Sequence, residues 1–129
     1  LVRLEPTGNW LYSVASYQYA NASASNQVSF VNGDTNPVYV RVRTLVSCPT
    51  GGVTATVGIG IDSISVNSAT TYGGTTIAGA SVPLEAVYDD IPPVGFHAFN
   101  WLEYAGGVNC RFYGTFAEAT FGITGRIAC

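Results

Sequence analysis

Hydrophobic and polar residues alternate along four long stretches of the chain, where almost every second side chain is apolar. Successive side chains of an extended strand point to opposite faces, so a period of two predicts strands with one face in a core. In the first stretch the intervening positions are Tyr39, Arg41 and Arg43. The apolar positions of the four stretches are Val38, Val40, Val42 and Val46; Val53, Ala55, Val57, Ile59 and Ile61; Val82, Leu84, Ala86 and Tyr88; and Phe121, Ile123 and Ile127.

Turn-forming residues separate these stretches at short intervals, and two shorter strand candidates lie at residues 10–19 and 27–31. Many short strands punctuated by Gly, Pro and Asn, with no helix between them, are typical of a sandwich or a jelly roll. We therefore expect an all-β fold, an antiparallel jelly-roll sandwich, with residues 1–129 as a single domain. The turn signals lie at residues 32–34, 49–52, 73–74, 92–93 and 106–107.

The apolar phase changes by one residue at positions 62–63. Up to Ile61 the inward positions carry odd numbers, whereas Ile64 and Val66 carry even numbers. A β-bulge here, or a break between two strands, would restore the apolar face. The segment that follows, residues 67–81, is rich in small polar residues and is predicted to be a long loop.

The strand predicted within residues 95–114 is apolar on both faces. An antiparallel sheet normally leaves one face polar, and no helix-forming segment exists to cover a second apolar face. A neighbouring sheet covers one face, and a neighbouring chain is the simplest cover for the other. We therefore place Phe99 and Trp101 at a contact between subunits. The opposite face carries Phe96, Ala98, Leu102 and Tyr104.

Composition narrows the classes of partner. The chain is 47% hydrophobic and 10% charged, with a formal net charge of −3, whereas about a quarter of the residues in a typical soluble domain are charged. Such low charge suits a protein that buries much of its surface between subunits. The five arginines do not form a run, which argues against duplex nucleic acid as a partner. No apolar stretch approaches membrane-spanning length, so we expect neither a nucleic-acid nor a membrane partner.

Three cysteines, Cys48, Cys110 and Cys129, allow at most one disulfide within the chain. Their spacing does not match a metal site, because the sequence contains no CxxC motif and no Cys/His cluster. If a disulfide forms, Cys110 and Cys129 are the expected pair, because both lie near the ends of the last strand pair. The alternative is three unpaired thiols, since free cysteine behaves as a small hydrophobic residue.

Candidate catalytic groups are scarce. The single histidine, His97, lies in the middle of a predicted strand, where a packing or interface role is the more common one, and no serine lies in a GxSxG motif. Two of the eight carboxylates would suffice for a glycosidase, but nothing in the sequence brings a particular two together. We therefore expect no catalytic residue, no bound metal and no cofactor.

Four segments form a distinctive combination: VGIGIDSISVNSAT at 57–70, VYDDIPPVGFHAFNWLEYAGG at 87–107, FYG at 112–114 and FGITGRI at 121–127. Together they resemble the distal domains of tailed-bacteriophage fibres and related virion-surface proteins. Such domains resemble the C1q and tumour-necrosis-factor jelly roll, which assembles as a trimer. The resemblance implies a homotrimer on the virion surface, outside the cell, with Phe99 and Trp101 near the subunit contact.

Three functional hypotheses follow from this resemblance. The first is the receptor-binding head of a trimeric fibre, whose partners are a host-surface glycan or protein and other virion proteins. The second is a decoration or cement protein fixed to a capsid or tail. The third is a small glycan depolymerase, which would need a cleft with paired carboxylates.

The host ligand is expected to contact loops at one end of the sandwich, because sandwich loops cluster at the ends. The candidate loops are residues 21–26, 32–36, 67–81 and 105–109, whose Asn, Ser, Thr and Gly residues suit adaptable hydrogen bonds to hydroxyl groups. The alternative is that these segments are plain solvated turns. The predicted ligand-binding residues are Asn67, Thr70, Tyr72, Tyr104 and Asn109, with the two tyrosines placed to stack on a sugar ring.

Overall fold

The chain folds into β-strands that pair antiparallel in two sheets, and the computed structural model describes residues 1–116 and 119–128. These residues contain no α-helix, and a 3-10 turn lies at Ala20–Ala22. The expected all-β class is therefore confirmed. The strands are β1 (Val2–Leu4), β2 (Asn9–Tyr12), β3 (Gln18–Tyr19), β4 (Gln27–Asn32), β5 (Val38–Ser47), β6 (Ala55–Ile61), β7 (Thr70–Tyr72), β8 (Ser81–Asp90), β9 (Gly95–Ala105), β10 (Cys110–Tyr113) and β11 (Gly122–Ile127).

The first sheet is built around β5. β8 pairs with β5 along its full length, from Val38 opposite Asp90 to Ser47 opposite Ser81. On the other edge of β5, β11 pairs with the first half and β10 with the end. β1, β2 and β7 extend the sheet by pairing with β11, β10 and β8. β5 therefore sets the position of every other strand in this sheet.

The second sheet is built around β9 in a similar way. β6 pairs with the second half of β9, from Ile61 opposite Phe99 to Ala55 opposite Ala105. On the other edge, β4 pairs with the first half of β9 and β3 with its second half. Each sheet therefore has one long central strand with shorter strands along its edges.

The two sheets face each other across a hydrophobic core, and the alternation predicts its inward residues correctly for β5, β6 and β8. Aromatic side chains from both sheets meet inside it. The Trp10 and Trp101 rings lie edge to face with centroids 5.9 Å apart, and those of Tyr88 and Phe99 lie 5.4 Å apart. Aromatic pairs of this kind add about 0.5–1.5 kcal/mol each beyond the area they bury.

The predicted subunit contact through Phe99 and Trp101 is wrong. Both side chains are fully buried within a single chain, in the core between the sheets, so they have no surface for a neighbour to touch. β9 does have two apolar faces, but the opposite sheet covers the one with the large aromatic rings. On the other face Leu102 is buried by the chain itself, whereas Phe96 is 64% exposed.

The chain leaves β6 at Asp62 and returns across the outer face of that strand. Asp62 has a left-handed φ of 51°, which turns the backbone sharply at this point. Residues 63–67 then cross so close to β6 that a Cβ added to Gly60 would lie 2.1 Å from the carbonyl oxygen of Ser63. A loop of the chain therefore covers a sheet face that the sequence appeared to leave open.

The structure decides between the two alternatives at residues 62–63 and corrects the predicted loop. Ile64 and Val66 are exposed, because they lie in the crossing loop and have no strand partner, so the phase change marks a break after β6 rather than a bulge. The predicted loop at residues 67–81 contains a strand, β7, whose Thr70 and Tyr72 pair with Val87 and Glu85 of β8.

A disulfide joins Cys48, directly after β5, to Cys110 at the start of β10. The predicted pairing of Cys110 with Cys129 is therefore wrong, and Cys129 lies outside the described residues. Cys48 and Cys110 are 62 positions apart in the sequence, but β10 pairs with the end of β5 and brings them together. The predicted pair required the last two strands to be neighbours, whereas β10 and β11 each pair with β5.

Candidate ligand-binding face

The outer face of the first sheet gathers arginines from three strands. Residues directly opposite one another in a sheet share a face, so the strand register fixes the arrangement. Arg41 and Arg43 lie on β5. Arg126 on β11 lies opposite Tyr39, and Arg111 on β10 lies opposite the last residue of β5. We call this surface the arginine face, and it holds four of the five cations of the chain.

Glu85 on β8 neutralises part of this charge. Its Oε2 accepts a hydrogen bond from Nη2 of Arg41 at 2.6 Å and lies 3.7 Å from Nε of Arg43. The hydrogen bond with Glu85 raises the pKa of the Arg41 guanidinium. The Arg43 side chain is 65% exposed. One carboxylate therefore serves two guanidinium groups, and Arg43 keeps most of its donors toward solvent.

Aromatic rings lie beside these arginines. The guanidinium of Arg126 lies 5.1 Å from the centre of the Tyr39 ring, a cation–π arrangement. At the β7 edge, Tyr72 is 55% exposed. It borders a depression of about 440 Å³, whose lining includes Arg43, Leu45, Pro83 and Glu85.

The arginine face is long and narrow. The positions opposite Arg126 and Arg111 are eight residues apart on β5, which is about 26 Å at the usual strand rise of about 3.3 Å per residue. Guanidinium forks donate hydrogen bonds to hydroxyl or acidic oxygens, and a tyrosine ring offers a flat apolar surface. These groups suit an elongated polar ligand rather than a small molecule in a closed pocket.

Two of the predicted ligand-binding residues lie on this face. Thr70 and Tyr72 belong to β7, where they are opposite Val87 and Glu85 of β8. Glu85 is in turn opposite Arg43 on β5. Tyr72, Glu85 and Arg43 therefore form one row across the sheet, with an aromatic ring at one end and a guanidinium at the other.

Asn67 and Tyr104 lie on the other side of the molecule, on the outer face of the second sheet. The rings of Tyr104 and Tyr17 lie 5.4 Å apart, and burial together with Tyr104 raises the pKa of Tyr17. The Oδ1 atom of Asn67 accepts hydrogen bonds from the backbone N–H groups of Ile59 and Ala69 at 2.9 and 3.0 Å. Asn67 thus holds the crossing loop against β6, and its Oδ1 atom already accepts two hydrogen bonds from the backbone.

The four predicted ligand loops do not share one end of the sandwich. Asn32 pairs with Gly95 at the start of β9, whereas Asn109 lies in the turn that follows the end of β9. Residues 32–36 and 105–109 therefore lie at opposite ends. The four loops share a composition rich in Asn, Ser, Thr and Gly, but composition does not determine at which end of a strand a loop lies.

Both ring nitrogens of His97 are hydrogen-bonded to acceptor oxygens. Its Nδ1 lies 2.7 Å from Oδ2 of Asp62, and its Nε2 lies 2.9 Å from the carbonyl oxygen of Pro93. A neutral imidazole donates from one nitrogen only, so both bonds require the protonated ring, and the bond with Asp62 raises the pKa of His97. His97 joins the segment before β9 to the end of β6 and has no nitrogen left to act as a base.

Glu5 and Glu103 are the two buried carboxyl groups among residues 1–116 and 119–128. Glu103 accepts hydrogen bonds from Nε1 of Trp10 and, at 2.8 Å, from Nε2 of Gln18, while burial raises its pKa to about 7. Burial also acts on Glu5, but bonds from the Thr7 backbone and the Asn26 side chain outweigh it and lower the pKa of Glu5. Both carboxyl groups are buried, so neither is open to a polymeric substrate.

In residues 1–116 and 119–128, no three His, Cys, Asp or Glu side chains come together as metal ligands. Within the same residues, no helix is long and apolar enough to cross a membrane.

The arginine face is the feature that sequence reasoning missed. The five arginines do not form a run in the sequence, but a sheet gathers cations from strands that are distant in sequence. One signal was present: Arg41 and Arg43 are two residues apart in a predicted strand and must share a face. The positions of Arg111 and Arg126 depend on strand pairing, which alternation alone does not give.

No protein-family model, no curated protein and no solved structure matches this chain. The class of protein is therefore defined by the structure itself: an antiparallel β-sandwich with an exposed, arginine-rich sheet face.

Proposed function

We propose that this chain is a non-enzymatic binding domain of a virion surface, the glycan-recognising head of a trimeric fibre with a jelly-roll fold. The observation that carries the glycan-binding part is the arginine face, a long exposed surface with hydrogen-bond donors along β5 and Tyr72 at its edge. The resemblance of the four segments named above supports the virion, fibre and jelly-roll parts.

The burial and hydrogen bonding of the titratable side chains support a function in binding without catalysis. Glu5 and Glu103 are buried, and both ring nitrogens of His97 are hydrogen-bonded to acceptors. A glycosidase needs two carboxyl groups that flank the bond to be cleaved. On the arginine face, Glu85 is engaged by Arg41, which suits recognition of a sugar rather than proton transfer to it.

A pair of exposed apolar side chains supports assembly. Phe96 of β9 lies directly opposite Val31 of β4 on the outer face of the second sheet, and these residues are 64% and 72% exposed. Adjacent large apolar residues at a surface are typical of an interaction site. We place the contact between subunits here, in place of Phe99 and Trp101, which leaves the arginine face of each copy open to ligand.

The test is binding of the purified domain to a panel of bacterial surface polysaccharides. We expect saturable binding to a subset of the panel, with the size distribution of the bound polymer unchanged after prolonged incubation. The double variant Arg43→Gln/Tyr72→Ala should lose this binding, whereas Ile77→Ser, at an exposed position off the arginine face, should retain it.

Each other outcome rejects a specific part of the proposal. A folded domain that binds no polysaccharide in the panel contradicts glycan recognition and favours the decoration hypothesis. New reducing ends, lost on substitution of one carboxylate, would establish a depolymerase. Binding that survives Arg43→Gln/Tyr72→Ala would place the ligand on another surface.

A further inference from the structure

The charge of this protein is unevenly distributed. The chain has a formal net charge of −3. The described strand residues of the arginine face nevertheless include four arginines and two carboxylates, Glu85 and Asp89. These strand residues therefore carry a formal charge of +2 in an acidic protein. Segregation of this kind is what complementarity to a negatively charged partner requires.

The arginines also have a regular spacing. Arg126, Arg41 and Arg43 lie on successive rows of the sheet, since the row of Arg126 is that of Tyr39 on β5. Rows that share a face are two residues, or about 7 Å, apart. A linear ligand that lies along β5 would meet a guanidinium group about every 7 Å over this part of the face.

This spacing favours a sparsely charged polymer over nucleic acid. Duplex DNA carries a charge about every 1.7 Å of its axis, far denser than the arginines. Single strands bind proteins through successive exposed aromatic rings. Tyr72 is exposed at the β7 edge, but the Tyr39 ring is faced by Arg126. A polysaccharide with one acidic group on each sugar or every second sugar fits both observations.

We infer that the ligand of the arginine face is an anionic polysaccharide, whose carboxylate or sulfate groups pair with Arg41, Arg43 and Arg126 while a sugar ring lies against Tyr72. Arg43 is the principal contact, because its side chain is 65% exposed and lies 3.7 Å from Glu85. Arg41 keeps its hydrogen bond to Glu85 and reaches the ligand with its remaining donors. This inference rests on the proposed glycan-binding function and names the class of glycan.

The experiment compares four defined polymers: polygalacturonate, dextran sulfate, uncharged dextran and a thymidine oligonucleotide. We expect the two acidic polysaccharides to bind and dextran to bind at least about tenfold more weakly. Binding should weaken by at least about tenfold between about 0.05 and about 0.5 M salt, because salt screens charge pairs. A preference between carboxylate and sulfate polymers identifies the acidic group.

Variants test the assignment to this face. Arg43→Gln and Arg41→Gln should each weaken binding by about tenfold, the scale expected for loss of one charge-assisted contact, and Arg43→Lys should restore part of it. Ala24→Glu makes the same change in net charge in the exposed turn before β4 and should change binding less than about twofold. Thermal denaturation confirms that each variant is folded.

Three results would overturn the inference. Equal binding of dextran and polygalacturonate, with the Arg43→Gln effect retained, leaves the glycan-binding function standing but removes the acidic ligand. Binding of the oligonucleotide more tightly than polygalacturonate assigns the face to nucleic acid. Ala24→Glu acting as strongly as Arg43→Gln shows an effect of net charge rather than of this face. Failure of the folded domain to bind any polysaccharide, here or in the bacterial panel, rejects the proposed function itself.

Discussion

Glu103 is held in the interior by neutral donors, and its protonation state therefore affects folding. Trp10 of β2 and Gln18 of β3 both donate to this one carboxyl group, which links strands of the two sheets. Burial favours the neutral acid, whereas hydrogen bonds to its oxygens favour the charged form. Burial is the stronger effect, since the pKa of Glu103 rises from the ordinary 4.5 to about 7.

We predict that Glu103 makes the protein less stable as the pH rises from about 4.5 to 7. Over this range the folded state retains a proton that the unfolded chain releases, and the expected loss in the free energy of unfolding is roughly 2–4 kcal/mol. Glu103→Gln should remove this dependence, as measured by urea denaturation from about pH 5 to about pH 8.

Two other groups provide controls for this prediction. Glu5 has a lowered pKa, so the stability it adds is present above about pH 4.5 and is lost on acidification. His97 has a raised pKa, so the stability it adds is lost as the pH rises through that pKa. Both remain in Glu103→Gln, so the difference from the unmodified chain isolates Glu103. An unchanged slope between about pH 5 and 7 would contradict the assignment.

The loop that crosses β6 determines which residues this strand can carry. Gly58 and Gly60 have no side chains, and the backbone of Ser63 and the side chain of Asn67 occupy the space where their Cβ atoms would lie. Asn67 completes the cover with its hydrogen bond to the N–H of Ile59. Close contact replaces a side-chain layer on this face, which requires glycine in the strand despite its low strand propensity.

We predict that Gly60→Ala destabilises the protein by about 1–3 kcal/mol, the usual cost of overpacking. The added Cβ would lie 2.1 Å from a backbone oxygen, which a side-chain rotation cannot relieve. Gly33→Ala is the matched control, because nothing lies within 4 Å of its added Cβ, and it should change stability by less than about 0.5 kcal/mol. Equal midpoints of chemical denaturation for the two variants would show that the loop does not pack tightly on β6.

The sequence predicts the strands of this fold better than their partners. Alternation identifies the inward side of β5, because Val38, Val40 and Val42 repeat at a period of two. It does not show that β10 pairs with the end of β5, which is what joins Cys48 to Cys110. Pairing between distant strands depends on packing throughout the domain. A local sequence pattern therefore predicts neither the disulfide nor the arginine face.

The positions of the candidate ligand residues also depend on strand pairing, which the local sequence pattern does not predict. Tyr72 lies on the arginine face because β7 pairs with β8, whereas Tyr104 and Asn67 lie on the opposite sheet. All three residues lie in or beside segments rich in small polar residues, and that composition does not indicate which sheet each residue joins. Residue type indicates what a side chain can bind, but strand order determines which side chains can bind together.

The proposed trimer predicts different roles for two exposed hydrophobic residues. Phe96→Glu should convert a trimer to monomers in analytical ultracentrifugation, because a carboxylate would be buried without a partner at the contact. Ile77→Glu is the matched control at a position of nearly equal exposure and should leave the trimer intact. A monomeric unmodified chain, or a trimer that survives Phe96→Glu, would contradict this placement.

Nuclear magnetic resonance of the arginine Nε–Hε groups shows whether the arginine face binds the ligand. The chain has five arginines and no lysine, so each guanidinium gives one signal that a single Arg→Gln variant assigns. On titration with polygalacturonate, we expect the signals of Arg41, Arg43 and Arg126 to shift and saturate together while that of Arg3 stays fixed. Saturable binding that leaves the Arg41 and Arg43 signals unmoved would contradict binding at this face.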